Sequence, residues 1–161
     1  MKAVIYESNA GSARKYAEML ASKLGVPDYS YKEAKKAIPK DEEAVFIGWI
    51  FANKIQGFQK ALKRWNLICA GAVGMNPPGE IYDKILREKN PTDLPIFYLR
   101  GALDYNKLKW LQKQLLQTIC TDLEKQNQPG TQEMINILKN GCDFVSEENL
   151  EPLLAFTLSN E

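Results

Sequence analysis

Residues 3–13 read Ala-Val-Ile-Tyr-Glu-Ser-Asn-Ala-Gly-Ser-Ala, and they give the clearest indication of the fold. Its first four residues are mostly apolar and are typical of a short buried strand. After a turn of small and polar residues, Ser12 to Leu24 repeats apolar side chains at steps of three and four, which predicts an amphipathic helix. Gly25 and Pro27 are typical of the residues just beyond a helix end. The sequence therefore predicts a strand, a turn and a helix, in that order.

The same alternation continues along the rest of the chain. Ala44 to Trp49 is a nearly continuous apolar run, which suits a central strand of a parallel sheet because such a strand is buried on both faces. The pattern predicts further strands at 28–31, 67–73 and 95–99, and helices at 55–65, 80–87, 105–126, 131–139 and 147–156. The remaining segments read as a charged, solvated stretch at 32–41, a loop at 50–54 and a helix break at Gln128-Pro129-Gly130.

Strands that alternate with helices favour right-handed crossover connections between parallel strands. We therefore predict an α/β fold with a doubly wound, open parallel β-sheet flanked by helices. No low-complexity tract or long linker divides the chain, so residues 1–161 are predicted to form a single domain.

The composition excludes several classes of function. The chain has 161 residues, with 21 basic and 20 acidic side chains and no histidine. The lack of histidine excludes Ser-His-Asp and Cys-His catalysis and histidine-ligated metal sites. Residues 1–80 carry 12 basic and 8 acidic side chains, and residues 81–161 carry 9 and 12. Neither half is polarised enough to suggest a surface for nucleic acid or for membranes.

The cysteines and the absence of targeting signals indicate in which cellular compartment the protein is found. Cys69, Cys120 and Cys142 stand too far apart for a CxxC metal or redox motif. Their odd number and apolar surroundings are typical of reduced thiols in a cytoplasm. We see no signal peptide and no apolar stretch long enough to span a membrane. The sequence thus predicts a cytoplasmic protein with no membrane span, no metal site and no catalytic side chain of its own.

Ligands of open parallel sheets bind beyond the carboxyl ends of the strands, and three predicted loops lie there. The first loop combines small residues with the start of a helix, an arrangement that favours an anion such as phosphate. Its candidate ligand-binding residues are Ser8, Asn9, Ala10, Gly11, Ser12 and Ala13. The alternative is that Ser12 only caps the helix.

The other two loops follow the next two buried strands. Trp49 and Phe51 can stack on a planar ring, or they can pack against the following helix. Asn53 tolerates a positive φ, which makes a tight turn plausible there. The candidate residues of these loops are Trp49, Ile50, Phe51, Ala52 and Asn53 in the second, and Gly74, Met75 and Asn76 in the third.

These residues, taken together, resemble the flavodoxin family. That family's phosphate loop follows the pattern Thr/Ser-x-Thr-Gly-x-Thr, and Ser8 and Gly11 match it, whereas Ala10 and Ala13 replace threonines. The second and third loops fall where flavodoxins hold the two sides of the isoalloxazine ring. Phe97-Tyr98-Leu99-Arg100-Gly101 is similar to the branch that includes the flavodoxin-type protoporphyrinogen oxidases. The resemblance covers residues 1 to about 125.

The resemblance implies a strand order of 2-1-3-4-5 and FMN as the cofactor. It implies an FMN-binding protein that carries electrons to a redox partner protein or reduces a small-molecule acceptor. One alternative is an FMN-dependent oxidoreductase acting on a quinone or a porphyrinogen-like substrate. Another is a flavodoxin fold without FMN that acts as a binding module, because the two alanines remove hydroxyl groups from the phosphate loop. Arg100 is expected either to meet a ligand or to form a structural ion pair.

Overall fold

The computed structural model describes residues 1–126 and 131–160. Its centre is a parallel sheet of five strands, and their bounds are β1 Ala3–Glu7, β2 Asp28–Ser30, β3 Glu43–Phe51, β5 Asn66–Gly74 and β6 Ile96–Arg100. Their order across the sheet is β2-β1-β3-β5-β6. Counted along the five parallel strands, this is the predicted order 2-1-3-4-5. The fold is the predicted flavodoxin-like α/β fold.

Helices cover both faces of this sheet. Their bounds are α1 Ser12–Leu24, α2 Tyr31–Ala37, α3 Phe58–Leu62, α4 Glu80–Lys89, α5 Trp110–Gln126, α6 Thr131–Asn140 and α7 Glu147–Ser159. A short 3₁₀ helix, Tyr105–Lys107, precedes α5, and the side chain of Asp104 caps it by accepting from the Asn106 N–H at 3.0 Å. The predicted break at Gln128-Pro129-Gly130 lies outside the described residues.

Alternate residues of β3 face two separate hydrophobic cores. Val45 and Ile47 point to one face, where they pack with Tyr16 of α1 and with Leu153 of α7. Phe46 points to the other face, where the core also includes residues of α2, α3 and α4. This is why the apolar run at 44–49 is nearly continuous, since both of its faces are buried.

The structure corrects the prediction around the end of β3. The strand does not end at Trp49 but continues to Phe51, and it then folds back through β4 (Lys54–Ile55) as an antiparallel hairpin. Gly48 permits this return, because a Cβ on Gly48 would lie 2.6 Å from the Ile55 side chain. The predicted helix at 55–65 is accordingly shorter, and only 58–62 is helical.

The segment at 32–41 also differs from the prediction. Most of it belongs to α2, which has a capping box: the Ser30 hydroxyl accepts from the Glu33 N–H, and the Glu33 carboxylate accepts from the Ser30 N–H. This local hydrogen bonding explains how a charged segment with few apolar residues forms a helix. Only Ala34 in α2 is fully buried.

The chain leaves the sheet after β6 and returns to it at α7. In this segment, β7 (Ala102–Leu103) pairs antiparallel with β8 (Cys142–Asp143). Along the chain, α5 and α6 lie between these two short strands. Tyr16 of α1 links the end of β6 to α7, the two ends of this segment. Its hydroxyl donates to the Arg100 carbonyl at 2.6 Å and accepts from the Asn149 side chain at 3.1 Å. Among the described residues, none of the helices is both long and apolar enough to cross a bilayer.

Candidate functional site

The chain reverses direction across the sheet between β1 and β3. From β1 it passes to β2 on one side, and it then returns to β3 on the other side. Because the strands are parallel, the loops after β1 and β3 leave from the same end of the sheet, next to the paired residues Glu7 and Gly48. Such a reversal opens a crevice between the two loops. The first two predicted loops therefore flank one crevice.

The loop between β1 and α1 is an open, tight turn. Gly11 has a φ of 101°, in the left-handed region that glycine adopts without strain. Its N–H donates to the Ser8 hydroxyl at 3.1 Å, which closes the turn. A Cβ on Gly11 would meet no atom within 4 Å, so the space beside the turn is open. Asn9 and Ala10 are exposed at the tip.

Ser12 connects this loop to β7, just beyond the end of β6. Gly11, not Ser12, occupies the N-cap position of α1. The Ser12 hydroxyl is nearly buried and accepts from the Ala102 N–H at 3.0 Å. Its own proton remains available to another acceptor. Ala13 is buried in the core below the loop, so its side chain points away from the open turn.

The start of α1 has the donors that a phosphate requires. The N–H groups of the first helical turn have no acceptor within the helix, and the helix dipole adds partial positive charge. No acidic side chain lies in this turn. The nearest charged residues of α1 are Arg14, which pairs with Glu18 at 2.7 Å, and Lys15, whose Nζ lies 3.8 Å from an Asp143 oxygen. Backbone N–H groups and two hydroxyls, without an opposing carboxylate in the turn, fit a phosphate dianion.

The hairpin after β3 carries two aromatic rings on the α1 side of the sheet. Trp49 and Phe51 are two residues apart, so they follow Val45 and Ile47 on the same face. Their ring centroids are 5.8 Å apart, and Phe51 is 54% exposed. Ile50 instead packs with the opposite core. The two rings thus stand on the face where α1 begins, whereas α3 packs on the other face.

The turn of this hairpin is tight and strained at one position. Ala52 and Asn53 have φ values of 47° and 61° between the paired residues Phe51 and Lys54. Positive φ at both central residues is the hallmark of a type I′ turn. Asn53 has the predicted positive φ, and asparagine tolerates it well, but alanine does not.

Asn90 holds this turn in place through hydrogen bonds, a role that the sequence pattern does not indicate. Its side chain is 3% exposed and makes three hydrogen bonds of 2.8 Å. Its Oδ1 accepts from the Ile55 N–H, and its Nδ2 donates to the carbonyls of Asn53 and Leu86. Asn90 lies at the end of α4, far from the hairpin along the chain, so local sequence patterns carry no signal of this role.

The third loop follows β5 and is anchored by a tyrosine of β6. The Tyr98 hydroxyl donates to the Asn76 carbonyl at 2.8 Å, and its ring packs edge-on against Tyr82 at 5.1 Å. Burial raises the pKa of Tyr98 well above its usual value, so the hydroxyl remains a donor at all ordinary pH values. Met75 points away, into a small core under α5 and α6. This loop therefore offers mainly backbone to the crevice.

Arg100 at the end of β6 takes a structural position. Its guanidinium lies 3.6 Å from the centroid of the Phe144 ring, and its Nη2 is 3.7 Å from a Glu133 oxygen. The Nε and Nη2 atoms are buried and have no hydrogen-bond partner among the described residues. Of the two alternatives for Arg100, the structure shows the ion pair, with an added ring contact, and this pair ties α6 to the edge of the sheet. In the described part of the chain, no cluster of three or more Cys, Asp or Glu side chains could hold a metal ion.

Comparison with known proteins identifies the domain. The family model of the flavodoxin domain matches residues 3–129, which is most of the chain. A search of curated proteins found no match. The matched range includes all three loops described above.

Proposed function

The chain belongs to the flavodoxin domain family, and on this premise we propose that it binds FMN and uses it to transfer electrons. The observation that carries the proposal is the crevice between β1 and β3. One wall is the open turn at Gly11 with the donors of α1, and the other is the hairpin with the exposed ring of Phe51. An anion site and an aromatic platform on one crevice match the two ends of a flavin mononucleotide.

We assign the roles of the chain's residues as follows. The backbone at 8–13 and the hydroxyls of Ser8 and Ser12 hold the phosphate. Trp49 and Phe51 stack on the ring, and the backbone at 74–76 lines its other side. Asn90 keeps the turn at Ala52 and Asn53 in place. FMN supplies the redox chemistry when it is bound, and the protein supplies binding and orientation.

This proposal has two versions, which differ in the molecule that accepts the electrons. In the first, the chain passes electrons to a redox partner protein or a small acceptor. In the second, it is an FMN-dependent oxidoreductase that acts on a quinone or a porphyrinogen-like substrate. The charge balance of the chain, +1 overall, favours a small-molecule acceptor because it gives no strong field for docking a basic protein.

The first experiment is to incubate the purified protein with FMN, remove unbound flavin by gel filtration, and record the visible spectrum. We expect a stoichiometric flavin spectrum and strong quenching of flavin fluorescence by the stacked aromatics. Repeated turnover of a water-soluble quinone by the reduced protein, as opposed to a single reoxidation, then distinguishes an oxidoreductase from an electron carrier. A protein that elutes without flavin would instead support the binding-module alternative, which Ala10 and Ala13 raise.

A further inference from the structure

The first three turns of α5 expose an apolar surface that no other described element covers. Trp110 is 69% exposed, Leu111 72%, Leu115 51% and Ile119 39%, and we call these four residues the α5 outer face. The opposite side of the helix is accounted for, because Cys120 is buried and Leu116 and Leu123 pack on the small core shared with α6. The apolar residues of α5 thus form two surfaces: one packs in the core shared with α6, and the other is exposed.

The charge around the start of this face is mostly positive. Between Tyr105 and Thr121 the chain has Lys107, Lys109 and Lys113 and no acidic residue. Averages over each half of the chain conceal this stretch, because acidic residues follow it. Gln114 and Thr118, which lie among the apolar residues on the outward side, are exposed and uncharged. Acidic side chains border this stretch: Asp104 lies 3.4 Å from Lys107, and Asp122, three residues after Ile119, lies 3.8 Å from Lys125. The α5 outer face therefore combines tryptophan, leucine and isoleucine with a positive balance of charge at the start of the helix.

We propose that the α5 outer face binds the surface of an anionic phospholipid bilayer, with the helix lying in the plane of the interface. Apolar side chains on a helix of this kind enter the boundary between headgroups and acyl chains, and tryptophan favours that boundary. Lysines beside the face attract anionic headgroups. The inference goes beyond the proposed function, and it requires no bound flavin.

A second copy of the chain fits the same face less well. The four side chains expose an apolar area on the order of 400 Å², about half of the roughly 800 Å² that each partner of a stable dimer buries. An antiparallel partner would have to neutralise the lysines with acids from the far end of α5. Those acids are already paired within the chain: Asp122 lies 3.8 Å from Lys125, and Glu124 lies 2.8 Å from Lys139. A bilayer needs neither a matched shape nor those acids.

The test is sedimentation of the full chain with lipid vesicles. We expect binding to vesicles that contain equal parts of phosphatidylglycerol and phosphatidylcholine, and at least about tenfold weaker binding to phosphatidylcholine alone. Raising the salt concentration should weaken the binding to anionic vesicles, because it screens the lysines. The variant Leu111→Gln/Leu115→Gln should bind anionic vesicles at least about tenfold more weakly.

A matched control removes exposed apolar side chains elsewhere. Ile81, 81% exposed, and Leu158, 54% exposed, lie on other helices, so Ile81→Gln/Leu158→Gln should bind vesicles like the wild type. Circular dichroism of both variants checks that they fold, which is expected because all four positions are exposed. The proposal is overturned if the wild-type chain does not sediment with anionic vesicles or if both double variants lose binding equally. It is also overturned if analytical ultracentrifugation shows a dimer that Leu111→Gln/Leu115→Gln dissociates.

Discussion

At the residue scale, Ser8 is the most direct test of the phosphate loop. Its hydroxyl accepts from the Gly11 N–H at 3.1 Å, and its own proton can reach an anion in the open turn. We predict that Ser8→Ala weakens FMN binding about tenfold, since a hydrogen bond to a charged group contributes roughly 1.5–3 kcal/mol. Titration calorimetry measures this, with Ser22→Ala, at an exposed serine of α1, as the control. Equal affinities of both variants for FMN would remove Ser8 from the site.

Asn90 acts at the same scale, but through the hairpin. Asn90→Ala leaves the Ile55 N–H and the Asn53 carbonyl without their buried partner, and we expect the free energy of unfolding to fall by about 2–4 kcal/mol. Urea denaturation measures the change. Asn136→Ala, at an exposed position of α6, should shift it by less than about 0.5 kcal/mol. If the two variants are equally stable, Asn90 does not hold the turn.

At the scale of elements, the hairpin of β3 and β4 is the predicted platform for the ring. We predict that Trp49→Ala/Phe51→Ala weakens FMN binding about tenfold or more, because each stacked pair contributes roughly 0.5–1.5 kcal/mol beyond its buried area. Flavin fluorescence should also be less quenched in this variant. Trp110→Ala/Leu111→Ala, which removes exposed apolar groups from α5, is the matched control and should bind FMN normally. Unchanged FMN affinity in a folded Trp49→Ala/Phe51→Ala variant would assign the two rings to packing alone.

The elements also show what the sequence could and could not predict. The apolar run at 44–49 identified β3, because a strand that is buried on both faces consists almost entirely of apolar residues. The hairpin after it was missed, because its stability comes from Gly48 and from Asn90, 35 residues beyond Ile55. The candidate loops follow from the parallel order of the strands. The contact of Ser12 with Ala102 does not, because it joins residues 90 positions apart.

At the scale of the whole molecule, the titration of buried groups predicts how stability depends on pH. Burial raises the pKa of Cys69 to about 12, and it raises the pKa of Tyr16 and Tyr98 as well. The folded chain therefore keeps protons that the unfolded chain releases above about pH 9. The free energy of unfolding should fall as pH rises from there, by up to about 1.4 kcal/mol per pH unit for each such group. The chain has no histidine, so stability should stay nearly constant between pH 6 and 8.

Chemical denaturation at a series of pH values measures this profile. The variant Cys69→Ala removes the buried thiol whose pKa is raised to about 12. The free energy of unfolding of this variant should therefore fall less at high pH than that of the wild type. A wild-type profile that is flat up to pH 11 would show that these groups are accessible to water in the folded chain.

The crevice between β1 and β3 is proposed to bind a flavin by its phosphate and its ring together. The most direct measurement is the ratio of the affinities for FMN and for riboflavin, which lacks only the phosphate. Two charge-assisted hydrogen bonds at roughly 1.5–3 kcal/mol each predict that FMN binds at least about a hundredfold more tightly. Calorimetric titration of the flavin-free protein with both ligands gives this ratio, and Ser8→Ala should reduce it while leaving riboflavin binding unchanged. Equal affinity for the two flavins, or no binding of either one, would exclude flavin binding by phosphate and ring in this crevice.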